Sequence, residues 1–228
     1  MSINLNKIVL EKPGDAKRIN LAKDSSGNNL TEQITINLNW TQEKQEEKSS
    51  GLLGSLKRMF SGSNGIDLDL GCFYELKNGS KMVIDGIQFA HGQGGSRTQS
   101  SKQGRYTGQP WIWHSGDDRS GAGDGENILL NPRGIAELKR LTVYCFIYKG
   151  VANWAQTNAI ATIKVPGNPD IIVQMGQQMS NKKMCALAEI NFDGSEGITV
   201  KKLVSFHNGH SDCDKSYNWG LQWTAGSK

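Results

Sequence analysis

Apolar and polar residues alternate with a period of two through most of the chain. Ile34, Ile36, Leu38 and Trp40 alternate with Thr35, Asn37 and Asn39, which predicts a strand with one buried and one wet face. The run 141–148 is apolar on both sides: Leu141, Val143, Cys145 and Ile147 line one, Tyr144, Phe146 and Tyr148 the other. Such a strand belongs in the middle of a sheet covered on both faces. Further strands are predicted over 3–10, 66–76, 81–85, 111–114, 127–130, 159–165, 170–175, 184–192, 198–206 and 217–223. Turn formers separate them, among them Asn78-Gly79, Asp193-Gly194 and Asn208-Gly209. A short helix is predicted over 134–140. The pattern predicts an all-β fold, a β-sandwich of two mainly antiparallel sheets with short helices at its margins.

Two stretches break the alternation. Residues 41–65 begin highly charged and end in Ser61-Gly62-Ser63-Asn64-Gly65; between, Leu52, Leu53, Leu56, Met59 and Phe60 can share one helical face. One to two turns are marginal alone, so the expectation is a loop with a sticky helical turn rather than a membrane-surface or partner-docking helix. Residues 91–110, rich in Gly, Ser and Gln, read as a second flexible insertion. Both are expected within one sandwich domain spanning 1–228.

Composition narrows the picture. The 27 glycines suit short strands and tight turns better than a helical bundle. A formal charge of +4, with dispersed basic pairs, does not point to nucleic acid. Cys72, Cys145, Cys185 and Cys213 are widely spaced without a Cys-x-x-Cys pair and read as reduced thiols. The absence of a leader-like start and of an apolar run of roughly 20 residues predicts a cytoplasmic protein without a transmembrane segment.

The densest chemistry lies in 114–127. Asp117, Asp118, Asp124 and Glu126 sit among Gly116, Gly121, Gly123 and Gly125. Carboxylates crowded this closely repel unless a cation neutralises them, and glycines let the backbone turn carbonyl oxygens inward as further donors. Calcium takes six to eight oxygens in flexible geometry, which this mixture supplies; magnesium suits it less well. The order is not that of an EF-hand. A second acidic pair, Asp67 and Asp69, alternates with Ile66, Leu68 and Leu70, placing both carboxylates on one strand face and the apolar residues in the core. The competing reading of both is a solvated acidic surface balanced by Lys or Arg.

The segment 65–75, Gly-Ile-Asp-Leu-Asp-Leu-Gly-Cys-Phe-Tyr-Glu, resembles the D-L-D strand of the TerD family of tellurium-resistance and stress proteins. The segment 116–125 resembles that family's G-D-N-x-T-G-x-G-x-G calcium loop. The stretches 36–40, 146–154, 165–169 and 219–223, and the insertion before Asp67, are similar to its TerA-like branch. The resemblance runs from about residue 30 onward and implies a β-sandwich holding calcium where the two acidic segments meet. Carried over, Asp67 and Asp69 match the strand pair and Asp117 and Asp118 the loop's start. Gly121 and Gly123 match the carbonyl-supplying turn, and Asp124 and Glu126 the closing acidic cluster. Asp118 replaces an Asn, Ala122 stands where many members have Glu, and the closing cluster is short; one calcium is favoured over two. The resemblance further implies tellurite, phage or general stress resistance. It also implies action with other tellurium-resistance proteins in complexes near the inner membrane face; that the chain is not an enzyme is expected from the lack of a catalytic constellation among its residues.

Other readings carry less weight. His207, His210 and Cys213 offer three zinc-competent ligands, but Asn208-Gly209 reads as a hairpin turn that splays the histidines. Trp111, Trp113, Trp154, Trp219 and Trp223 raise a carbohydrate-binding module, against which core packing is the simpler reading. A hydrolase using the carboxylates needs one neutral and one ionised acid, and no nucleophile elbow or His-Glu-x-x-His helix is present.

Overall fold

The computed structural model describes residues 7–21, 32–40, 66–86, 96–116, 118, 124–150, 152–175 and 178–224. Within them one sheet carries β1 (Ile8–Leu10), β11 (Ile171–Gln174), β10 (Ile160–Lys164), β3 (Ile34–Asn39), β8 (Glu126–Leu130), β7 (Ile112–His114) and β6 (Gly104–Arg105), in that spatial order. The other carries β2 (Ala16–Asn20), β13 (Gly197–His207), β12 (Met184–Asp193), β9 (Leu138–Lys149), β4 (Asp67–Leu76) and β5 (Lys81–Asp85). Among these pairings only β1 with β11 is parallel. The expected all-β sandwich is the fold that forms.

The main core lies between the sheets. Ile34, Ile36 and Leu38 of β3 and Ile128 and Leu130 of β8 meet Leu68, Leu70 and Cys72 of β4 and Leu141, Val143, Cys145 and Ile147 of β9. β9 runs between β4 and β12, and its other face is buried too. Tyr144 and Phe146 join Phe73, Met184, Cys213 and Trp219 in a second cluster on the outer side of the six-stranded sheet. The helix His210–Ser216 and the chain after it supply the cover. That third layer is why 141–148 is apolar on both faces. Gly71 makes room within it: a Cβ there would lie 2.5 Å from the Tyr144 ring, which crosses β4 to donate its hydroxyl to Asp85 at 2.6 Å.

Several local expectations change. The segment predicted as a strand over 217–223 adds no strand. Trp219 Nε1 donates to Thr142, while the N–H groups of Gly220 and Leu221 and the Trp223 indole N–H all donate to the buried Asp214 carboxylate. Its alternation is that of an extended chain on an apolar floor, its backbone satisfied by one side chain instead of a ladder. Asn208-Gly209 leads into the helix rather than a hairpin, with the Asp212 carboxylate accepting the Asn208 N–H at 2.9 Å. The predicted helix over 134–140 is a 3-10 helix, Pro132–Glu137, capped by the Asn131 side chain, and β9 already begins at Leu138. Two strands were not signalled: β2, an edge strand with Ile19 alone buried, and the two-residue β6. The insertion 41–65 lies outside the described residues, as do 91–95 of the second.

Candidate cation site at the acidic segments

β4 separates its residues as alternation requires. Leu68 and Leu70 enter the core, while Asp67 and Asp69 share the opposite face and are 7% and 0% exposed. Gly86 lies against Asp69 so closely that a Cβ would come within 3.0 Å of its Oδ1. Lys149 of β9, an exposed residue, is the register partner of Asp67.

The acidic loop is tied to this strand by a residue from the other sheet. β4 and β5 stay in register up to Gly71 and Asp85, and at Leu70 the backbone is taken over by side chains from β7 and β8. The Leu70 N–H donates to Glu126 Oε2 at 2.6 Å, and the Leu70 carbonyl accepts from His114 Nε2 at 3.1 Å. Glu126 Oε1 accepts the Asp118 N–H at 3.1 Å. One wholly buried carboxylate thus joins the loop at Asp118 to the Asp-Leu-Asp strand at Leu70. His114 Nδ1 accepts the Gly116 N–H at 3.2 Å, which puts the ring proton on Nε2, facing Leu70 O and, at 3.5 Å, Glu126 Oε2.

The loop's exit is equally constrained. Asn37 donates to the carbonyl of Asp124 at 2.6 Å and to the side chain of Asn127 at 2.9 Å. Gly125 takes φ +68°, and a Cβ there would lie 2.1 Å from the Leu38 carbonyl oxygen. Gly125→Ala should therefore push β8 off β3 at its first pair and destabilise the fold by about 2 kcal/mol. Urea denaturation checks this; an unchanged midpoint would show that the loop yields without cost.

Of the residues singled out from the sequence, Asp67, Asp69, Asp118 and Glu126 are brought to one end of the sandwich. Asp124 is exposed beside the loop's exit, and Asp117, Gly121 and Gly123 lie outside the described residues. Among the described residues no three of His, Cys, Asp and Glu form a metal-holding group. That applies to the zinc alternative as well. Cys213 is buried in the outer cluster, its thiol pushed up to about 12 by burial and by the charges of Asp212 and Asp214. His207 faces Ser205, and His210 Nε2 lies 2.9 Å from Asp85. Trp113, Trp154 and Trp219 are buried, which removes their ring faces from any sugar-stacking platform. Sequence reasoning passed over the roles of His114 and Asp85; only their partners from distant strands mark them out. Asp85 accepts the Tyr144 hydroxyl and stands 2.9 Å from His210 Nε2, and burial together with Asp85 keeps Tyr144 protonated far above its ordinary range.

No family model matches the chain. The chain is 34% identical over 228 residues to the tellurium resistance protein TerA of Alcaligenes sp., a match spanning 99% of this chain and 60% of that protein. The chain belongs to the TerD-like family of tellurium-resistance proteins. A second relative, the tellurium resistance protein TerZ of Serratia marcescens, is 34% identical over 113 residues, 50% of this chain and 46% of that protein. The chain thus spans less than two thirds of the length of either relative. The crystal structure of a protein of unknown function, SAV2460, superposes with a TM-score of 0.52 at 14% identity, covering 85% of this chain and 99% of that one. At that identity the likeness concerns the fold of this tellurium-resistance family member, a two-sheet sandwich. Among the described residues no helix is long and apolar enough to cross a membrane.

Proposed function

We propose that this chain is a calcium-binding, non-catalytic component of tellurite and stress resistance that acts through calcium-dependent contacts with other proteins of its family. The observation that carries the reading is the Glu126 bridge, which joins the loop at Asp118 and the strand at Leu70 through a single carboxylate. The side-chain donors the two segments offer are oxygens: Asp67, Asp69, Asp118 and Asp124, with Asp117 and the backbone at Gly121 and Gly123 in the same loop by sequence. An all-oxygen donor set suits a hard divalent cation and excludes soft ones. Asp67 and Asp69 are buried side by side, where ionised carboxylates favour a neighbouring positive charge. Bound calcium would neutralise the two segments and order the loop.

The tellurite and stress role rests on the relatives, both tellurium resistance proteins. A cytoplasmic location, with action at the inner membrane face, belongs to the same proposal. The non-catalytic reading is supported by Glu126 and His114: each holds backbone groups in place, leaving neither as a ready acid or base.

Calorimetric titration of calcium into chelator-treated protein tests this. A saturable heat is expected, lost in Asp67→Asn and in Asp118→Asn, with saturating calcium at about 100 times Kd adding about 2.7 kcal/mol of stability. No heat, or a melting temperature indifferent to chelator, would sink the proposal. Loss in one variant alone would show that the two segments do not share an ion.

A further inference from the structure

We infer that Cys145, Cys185 and Met175 form a site for a soft monovalent metal ion, reached through a cavity between β1 and β13. It is separate in chemistry from the oxygen donors of the acidic segments. Cys145 of β9 and Cys185 of β12 are direct register partners, and both face the main core. Residues opposed across an antiparallel pair have Cα atoms about 4.5–5.5 Å apart, so their sulfurs can meet on one ion without backbone movement. Met175 Sδ lies 3.9 Å from Cys145 Sγ. Two sulfurs each about 2.3 Å from a metal subtend close to 120° at that separation, the angle of a trigonal centre. Two thiols and a thioether are the donor set that selects Cu(I)-like ions over hard cations.

Access comes from a cavity of about 300 Å³. Its wall includes Val9 and Leu10 of β1, Gln174, Met175, and Lys202 and Val204 of β13. A bulge interrupts this wall. Ala186 pairs with Ser205 and Ala188 with Lys202, so Leu187 faces two residues, Leu203 and Val204. Val204 sits at φ +47°, a left-handed conformation strongly disfavoured for a β-branched residue. Met175 therefore stands between the cavity and the two cysteines, placed to hand an ion inward.

The charges agree. Binding proceeds as two thiols plus one monovalent cation giving a bis-thiolate complex of net charge −1, with two protons released to solvent. Lys202, its ammonium donating to the carbonyls of Leu10 and Glu11 at 2.9 Å, is the cation on that wall. Because both thiols must give up their protons to bind the ion, metal affinity should fall as pH falls.

The test is anaerobic titration of the reduced full chain with Cu(I) presented on a chromophoric chelator. The folded protein should withdraw one ion per chain, and X-ray absorption should show a shell of two to three sulfurs. Withdrawal should be lost in Cys145→Ala and in Cys185→Ala and kept in Cys213→Ala, whose thiol lies on the other side of the sheet. Failure to withdraw the ion, an oxygen or nitrogen shell, loss in only one of the two core variants, or loss in Cys213→Ala overturns the assignment. The absorption spectrum of the unmutated protein decides the matter if either core variant fails to fold.

Discussion

Glu126→Ala should destabilise the fold by about 4 kcal/mol, read as a fall in the urea midpoint, and should abolish calcium binding in the same protein. The carboxylate accepts the N–H groups of Leu70 and Asp118 and faces His114 Nε2, all at a position with no exposure. Removing it leaves donors buried without partners, each costing about 1–3 kcal/mol, and opens a void between the sheets. Glu126→Gln should fall between, since its amide oxygen can accept from one N–H while its NH2 group confronts the other. A Glu126→Ala protein of unchanged stability would mean that water or the loop itself satisfies Leu70, and that the bridge does not hold the acidic segments together. A protein that is destabilised yet still binds calcium would make Glu126 a structural clamp outside the ion's reach.

Glu75 supports the second large effect, at the opposite end of the same strand. Its Oε1 accepts from Lys139 at 2.6 Å and its Oε2 from Arg140 at 2.7 Å, while Lys81 stands 4.0 Å away. Arg140 stacks over Trp219 at 4.0 Å and donates to the Tyr217 carbonyl at 3.3 Å, and Lys81 donates to the Trp219 carbonyl at 3.2 Å. Glu75 is therefore the hub that pins the segment after the helix to the six-stranded sheet. Glu75→Ala should cost about 3 kcal/mol, because it leaves a partly buried guanidinium without its carboxylate. Trp219 fluorescence should change with it.

The pH dependence carries a definite sign. Burial alone would raise the Glu75 pKa, but the hydrogen bonds from Lys139 and Arg140 outweigh it and the folded-state pKa is lowered. Below the unfolded value of about 4.3 the unfolded chain binds the proton first. The contribution of Glu75 is thus complete above that pH and is lost as pH falls through the lower folded value. Urea midpoints across that range should drop more steeply for the unmutated protein than for Glu75→Gln. Parallel curves would remove Glu75 from the account of acid sensitivity.

What could be read from the sequence was the set of faces. Period-2 alternation placed Leu68 and Leu70 inward and Asp67 and Asp69 on the other side, as the structure has them, because a strand's pleat admits no other arrangement. The doubly apolar run 141–148 identified an interior strand for the same reason. The crowding of Asp117, Asp118, Asp124 and Glu126 marked the loop, since like charges at close range signal a counter-ion.

What tertiary structure alone decided was which strand stands beside which. Alternation is a local property; strand order, register and bulges are set by the packing of the whole core. Nothing near Glu126 in sequence points to Leu70, 56 residues away, or near Cys145 to Met175 and Cys185. Those meetings exist because β8 faces β4 across the sandwich and because β9 and β12 pair in one register. Where local pattern and packing disagreed, as over 217–223, the buried carboxylate of Asp214 satisfied the backbone that a strand ladder would otherwise have bonded.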